Sequence, residues 1–332
     1  MASAVRIVRT DRELELPGVD AALRGHGHEL VLLPEAVTET ELAAATADAT
    51  LLLTCYTRIT RRVIESARQL KAIVKYGVGI DAIDLAAARE RGIPVANVPE
   101  YAEETVAEGA FALMIALARK LKPLQRAMDL QGWVWPTGEW LGSDLAGKTV
   151  GLVGLGRIGS AFARMAAAFR MRVLSYDPYV PTATYRNLHA MLAESDFISI
   201  HCVLNDETRH LIGEAELRAM KPGAFLINVS RGAIVDETAL LRNLQSGRLA
   251  GAALDVYSAE PLAKQGHPLS MLYAMDNVIL SPHLTFYTRE AMARLEADTL
   301  ERCREALEGR PLTVRSRDPR LRAQSRGVRF VD

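Results

Sequence analysis

The stretch TVGLVGLGRIGSAFARMAAAF, residues 149–169, constrains this chain more than any other. Val150–Val153 has the apolar run of a short buried strand, and Gly154, Gly156 and Gly159 then spell GxGxxG. Arg157–Arg170 carries the Ala, Phe and Met face of a helix, and a second strand, RVLSYD (172–177), ends in Asp177. Each part has a task if a dinucleotide binds. Gly154 makes the tight turn, Gly156 lets backbone approach a pyrophosphate, and Gly159 lets the helix pack closely on the strand. The helix N-terminus offers unpaired N–H groups and the positive end of its dipole to the phosphates. Asp177 accepts hydrogen bonds from a ribose diol and repels a 2′-phosphate, so the expected cofactor is NAD and not NADP.

The motif begins almost halfway along the chain, which leaves a long segment to explain before it. That segment has its own rhythm. AVRIV (4–8), ELVLLP (29–34), TLLLT (50–54), KAIVKY (71–76) and PVANV (94–98) are strand-like. Between them lie polar, Ala-rich helical stretches, so a second α/β unit with a parallel sheet is expected. It holds no GxGxxG. Its most suggestive loop is YGVGID (76–81), where Gly77 and Gly79 follow directly on a strand and can present backbone N–H groups to a small anion. Residues 101–122 read as one helix, acidic at its start and basic at its end, with an apolar surface broad enough to want burial against another domain or a second subunit. WVWPTGEW (133–140) reads as packing or an interface arm, and the Arg-rich tail 314–330 as a loosely ordered, solvated end.

Composition excludes several classes. At 332 residues the chain has room for two domains. Its 40 basic and 40 acidic residues balance, so no global charge points to nucleic acid or to a membrane surface. Cys55, Cys202 and Cys303 stand far apart, which argues against a disulfide framework or a metal site and fits a reducing cytoplasm. The N-terminus lacks the apolar core of a signal peptide. GAFALMIALA (109–118) is about half of the roughly 20 residues that a membrane span needs. The expected protein is soluble and cytoplasmic.

Beyond Asp177 the strands continue as DFISIH (196–201), AFLINVS (224–230), GAALDV (251–256) and NVILSP (277–282). Polar residues crowd their carboxyl ends: His201; Asn228, Ser230 and Arg231; Asp255 and Glu260; Ser281 and His283. In an open parallel sheet, ligands bind in the crevice outside those ends. This converts Arg231, Glu260 and His283 from scattered residues into one candidate site. Their types suit hydride transfer to a 2-oxo acid. Arg pairs bidentately with a carboxylate. His can protonate the alkoxide that hydride addition leaves. A carboxylate on the far ring nitrogen orients the imidazole and favours its charged form.

Taken together, GLVGLGRIG (151–159), HCVLNDETRHLI (201–212), MKPGAFLINVSRGAIVDETAL (220–240), GAALDVYSAEPL (251–262) and SPHLTFYT (281–288) resemble the D-isomer-specific 2-hydroxyacid dehydrogenases, from about residue 50 to 310. The resemblance implies a catalytic trio of Arg231, Glu260 and His283. It implies that Asp255 holds the nicotinamide amide, that Arg157 and Ile158 line the pyrophosphate, and that Thr105 and His201 lie near the cofactor. Val78 and Gly79 would bind the substrate carboxylate through backbone N–H groups, beside Arg231. The implied fold is α/β, a Rossmann-type doubly wound parallel sheet inserted into a flavodoxin-like substrate domain. Residues 1–99 would open the substrate domain, 100–287 would form the NAD domain, and 288–332 would return to the first. Such proteins pair as homodimers through the nucleotide domain and close over the substrate.

The expected function is NAD-dependent interconversion of a small 2-oxo acid and its D-2-hydroxy acid. YGVGID, VANVPEY and PHLTFYT lean towards the branch that includes the C-terminal-binding-protein corepressors, which supplies an alternative: an NAD-responsive binding protein with vestigial activity. A dehydrogenase acting on a phosphorylated or phosphonate substrate is the other alternative. Phosphite enzymes carry Lys in the carboxylate loop, where this chain has Val78. Glu260 stands where formate dehydrogenases have Gln, and Tyr56 where phosphoglycerate dehydrogenases usually have Arg. The substrate's tail is not specified by the sequence; Tyr56, Lys75, Tyr76, Trp135 and Phe286 are the candidates to line it.

Overall fold

A computed structural model describes residues 4–331. The chain divides into two compact units, one of Met1–Ala102 with Thr288–Asp332 and one of Glu103–Tyr287. The first unit begins with four βα steps and a fifth strand: β1 (Arg6–Arg9), α1 (Pro17–Gly25), β2 (Glu29–Leu32), α2 (Glu39–Thr46), β3 (Leu51–Thr54), α3 (Arg61–Ser66), β4 (Ala72–Lys75), α4 (Leu85–Glu90) and β5 (Val95–Asn97). The strands are all parallel, in the order β2-β1-β3-β4-β5, which is the flavodoxin-like order. Central strands β3 and β4 are buried along their whole length, as strands covered by helices on both faces must be.

The second unit opens with α5 (Glu103–Ala118) and α6 (Leu121–Gln131). The single helix expected over 101–122 is therefore two. Pro123 explains the break: inside a continuous helix its ring would strike the carbonyl of Arg119. Lys120 instead turns left-handed at φ 50°, which moves Pro123 into the first turn of α6, where no N–H is needed.

The second sheet follows: β6 (Thr149–Val153), α7 (Arg157–Ala168), β7 (Arg172–Tyr176), α8 (Leu188–Glu194), β8 (Phe197–Ile200), α9 (Glu214–Ala219), β9 (Ala224–Asn228), α10 (Glu237–Gln245), β10 (Leu249–Leu254) and β11 (Val278–Leu280). All pairings are parallel and the order is β11-β10-β9-β8-β6-β7. A further position beyond β7 is reduced to one bridge, Tyr176 with Tyr185. The chain steps from β6 outward to β7 and then returns to the other side of β6 as β8. That reversal opens a crevice at the carboxyl ends of β6 and β8, where a doubly wound sheet binds its ligand. The expected α/β class is the one observed.

The chain then re-enters the first unit with α11 (Arg289–Leu307), β12 (Leu312–Val314), α12 (Pro319–Arg322) and β13 (Val328–Phe330). Glu296 of α11 accepts the Gly18 N–H at 2.8 Å, and Arg294 donates to the Tyr101 carbonyl at 2.7 Å. The tail departs from the loose end expected. β12 and β13 pair in parallel, and the Gln324 amide bonds both the N–H and the C=O of Val95, closing the open edge of β5. Its arginines are used locally: Arg315 on Glu100, Arg320 on Asp318, and Arg322 over the Phe330 ring.

Candidate active site

The glycine-rich turn has the geometry its sequence implies. Gly154 adopts φ +100°, and a Cβ there would lie 2.6 Å from the Cys202 backbone nitrogen. A Cβ at Gly159 would lie 2.3 Å from the Gly154 carbonyl oxygen, so the first turn of α7 sits directly on the strand end. Gly156 meets nothing within 4 Å. It is also the N-cap of α7 and has no side-chain cap, so the helix's first N–H groups face an open approach. This cradle fits a pyrophosphate. Arg157 begins α7 and pairs with Glu103 at 3.2 Å; Ile158 is half-buried beside it. Thr105 is buried in the first turn of α5.

Asp177 stands at the end of β7, where a ribose was expected, and is already hydrogen-bonded. Its Oδ2 accepts the Leu155 N–H at 2.9 Å and its Oδ1 accepts the Tyr179 N–H at 2.9 Å, so the acid also holds the glycine-rich turn. Asp177→Ser combined with Pro178→Arg is therefore expected to act twice. The NADPH-to-NADH ratio of kcat/KM should rise by roughly ten- to a hundred-fold, the size of one charge-assisted hydrogen bond. NADH affinity should fall as well, because the Leu155 N–H loses its acceptor. An unchanged cofactor ratio would refute the assignment of Asp177.

His201 borders the glycine-rich turn, its Cβ 3.5 Å from a Cβ built on Gly159. It follows β8 as expected, its ring packs on Phe162 of α7, with centroids 5.2 Å apart, and both ring nitrogens are buried. Among the described residues neither nitrogen has a hydrogen-bond partner, and burial pushes the imidazole down to about 3. The ring is a neutral apolar filler under the turn. The neighbouring Cys202 thiol is pushed up to about 12 by burial and stays protonated.

The catalytic candidates gather at the carboxyl edge of the same sheet. His283 Nδ1 lies 2.7 Å from Glu260 Oε2. An ionised carboxylate only accepts, so in this contact Nδ1 is the donor and carries a proton. The contact is built from both sides. Glu260 Oε1 accepts the Tyr257 N–H at 2.8 Å, which folds the loop after β10 around the carboxylate. His283 adopts a left-handed φ of 58°, a conformation that costs a non-glycine residue about 1–2 kcal/mol. Asp255 holds it there: its buried carboxylate accepts the Leu284 N–H at 2.9 Å, the Thr285 N–H at 3.0 Å and the Thr285 hydroxyl at 2.6 Å. Asp255 thus anchors the histidine's turn, and an amide of a bound nicotinamide would have to share an oxygen already in use. The Tyr257 hydroxyl lies 3.0 Å from both the Leu254 and the Ser281 carbonyls, and burial pushes the phenol up, so it bridges the two strand ends as a donor.

Arg231 follows β9. Its backbone carbonyl accepts from Asn228 at 2.9 Å, and its guanidinium donates to the Ser230 carbonyl at 2.7 Å. The next residue, Gly232, lies against the loop of Glu260: a Cβ there would fall 1.9 Å from the Tyr257 carbonyl carbon. Arg231 and the Glu260–His283 pair are brought together through that backbone contact. The sequence reading missed Tyr257, Gly232 and the anchoring task of Asp255. Only the glycine directly after Arg231 offered a signal.

Val78 and Gly79 belong to the first unit. Gly77 has φ +152°, the Val78 carbonyl accepts the Asn97 amide at 2.6 Å, and no hydrogen bond within the described residues uses the Val78 or Gly79 N–H. The loop is thus open to an anion. Lys75 is buried, with its ammonium on the Cys55 carbonyl at 2.6 Å and 5.8 Å from the Tyr56 ring centre; Tyr76 is buried too, its hydroxyl on the Thr10 carbonyl. In the second unit Phe286 meets the His283 ring edge-on, whereas Trp135 is 75% exposed.

A sheet edge with a turn that fits a pyrophosphate after β6 and an imidazole backed by a carboxylate after β11 suits a nicotinamide-dependent oxidoreductase. Residues 111–285 match the family described as D-isomer specific 2-hydroxyacid dehydrogenase, NAD binding domain. The chain is 42% identical over 260 residues to a glyoxylate reductase of Korarchaeum cryptofilum, covering 73% of this chain and 75% of that protein. It is 39% identical over 268 residues to the D-3-phosphoglycerate dehydrogenase of a Synechocystis strain, covering 79% of this chain but only 47% of that longer protein. The solved D-lactate dehydrogenase from Aquifex aeolicus, complexed with NAD and lactic acid, superposes with a TM-score of 0.81 at 31% identity, covering 91% of this chain and 96% of that one. The chain belongs to the D-isomer-specific 2-hydroxyacid dehydrogenase family, and its cofactor is NAD. No helix of the described residues is long and apolar enough to cross a membrane.

Proposed function

We propose that this chain reversibly reduces a small 2-oxo acid to its D-2-hydroxy acid, with Met1–Ala102 and Thr288–Asp332 as the substrate domain and Glu103–Tyr287 as the cofactor domain. The observation that carries the reading is the Glu260–His283 contact at 2.7 Å, on the sheet edge that holds the glycine-rich turn. Bound NADH supplies the hydride. Arg231, planar and permanently charged, pairs with the substrate carboxylate and polarises the carbonyl oxygen. His283 Nε2 delivers the proton to the alkoxide as hydride reaches carbon, and Glu260 stabilises the ring while it is charged. In the oxidative direction the same nitrogen takes that proton back. Val78 and Gly79 offer their N–H groups to the substrate carboxylate.

The relatives support a small 2-oxo acid: they are named for glyoxylate, hydroxypyruvate, phosphoglycerate, lactate and the branched 2-hydroxyisocaproate. NADH oxidation against glyoxylate, hydroxypyruvate, a branched 2-oxo acid and a phosphorylated 2-oxo acid tests the reading. Turnover of at least one, with a D-configured product wherever the product is chiral, is the expected result. Tight NADH binding with no turnover of any would favour the corepressor-like alternative.

The cofactor unit is further proposed to pair with a second copy. Leu121, Met128, Leu130, Trp133, Trp135 and Leu141 leave a large apolar surface on α6 and the segment after it, with Trp133 72% exposed. A cytoplasmic setting is supported by three free cysteines.

A further inference from the structure

Glu237 lies outside the catalytic trio, yet both its oxygens reach into the catalytic loop. It is the first residue of α10, but capping that helix is left to Asp236, whose Oδ1 accepts the Thr238 and Ala239 N–H groups at 3.0 Å each. Glu237 Oε1 instead accepts the Ser258 N–H at 2.7 Å, and Oε2 accepts the Ser258 hydroxyl. Ser258 is exposed and precedes Glu260 by two residues. The same loop is gripped on its other side by Gly232, whose would-be Cβ falls 2.1 Å from the Ser258 nitrogen, and internally by the Tyr257 N–H on Glu260.

The segment from Arg231 to Glu237 and the loop from Tyr257 to Glu260 are thus joined at two points. One is a backbone contact that fixes their distance. The other is a two-pronged carboxylate contact that resists rotation of the loop about that point. Among the described residues neither Ser258 group has another hydrogen-bond partner, and Ser258, Ala259 and Glu260 are exposed, so without Glu237 this end of the loop keeps only the Gly232 contact and the Tyr257 N–H to hold Glu260 against His283.

We propose that Glu237 is a positioning residue for proton transfer: it locks Ser258 so that Glu260 meets His283 Nδ1 and leaves Nε2 as the reacting nitrogen. The kinetic part of this inference rests on the reaction proposed above; the structural part does not.

Glu237→Ala removes both contacts and leaves the glycine-rich turn and its cofactor untouched. The kcat/KM for 2-oxo acid reduction should fall about ten- to a hundred-fold, the usual cost of loosening a group that orients a reacting one. NADH affinity should stay within two-fold of the parent. The independent readout is nitrogen NMR of ¹⁵N-histidine-labelled protein, with the His283 signals assigned by their loss in His283→Gln. In the parent, neutral His283 should be held as the Nδ1–H form; in Glu237→Ala it should relax towards the mixture of free imidazole. Glu237→Gln keeps a carbonyl oxygen for Ser258 and should lie between, and it serves if the Ala variant does not fold. Parent-like nitrogen shifts in a folded, NADH-binding variant overturn the inference. A parent inactive towards every 2-oxo acid, but with the tautomer shift on removing Glu237, defeats the proposed reaction and upholds the positioning role.

Discussion

His283→Ala is expected to lower kcat for 2-oxo acid reduction by a factor of a hundred to ten thousand, on the order of what acid–base assistance supplies. Without the imidazole, the alkoxide formed by hydride addition must take its proton from water. Arg231 still pairs with the carboxylate, so KM should move far less than kcat. NADH binding should survive, because the cradle at Gly154–Gly159 follows β6, and three strands stand between β6 and β11, which residue 283 follows. The folded state should also tolerate the change. Asp255 holds the backbone of Leu284 and Thr285 and not the ring. Near-parental turnover in a folded variant would remove His283 from the mechanism.

Gly232→Ala should be comparably severe, for a reason no inventory of polar residues suggests. The added methyl would stand 1.9, 2.1 and 2.4 Å from three backbone atoms of Tyr257 and Ser258, where carbon contacts need about 3.5 Å. Backbone cannot rotate away as a side chain can. The two segments must separate by roughly 1.5 Å to regain contact distance, and that displacement divides Arg231 from the Glu260–His283 pair. Misplacement on the order of 1 Å can cost a hundred-fold in rate. The overpacking itself costs about 1–3 kcal/mol of stability. Thermal unfolding with kcat/KM measures both, and parental values for both would show that the contact is slack.

Much of this was legible because the signals are local. A strand covered on both faces must be continuously apolar, so LLLT and AIVK name themselves, and β3 and β4 lie within a residue of the expected runs. GxGxxG works within one turn, and its three glycines meet the three constraints assigned to them. Arg231, Glu260 and His283 could be grouped from sequence because parallel strands all end on the same side, so the residues just after β9, β10 and β11 must share an edge.

The errors arose where a residue's fate depends on something outside its own window. The helix drawn to 122 stopped one residue short of Pro123, which breaks it. The tail was judged by its arginine density, although Gln324 and the β12–β13 ladder give it partners in the first unit.

By itself, then, the order of residues determined the two parallel sheets, the glycine-rich turn and which side chains are the candidates to react. Each of these follows from periodicity or chemistry within a few residues, or from the shared direction of parallel strands. The tertiary structure alone decided which nitrogen of His283 meets Glu260, what holds that residue left-handed, and how Glu237 and Gly232 hold its partner. Those depend on distances of 2–3 Å between segments remote in the chain, which are set by how the strand ends pack and not by any local preference.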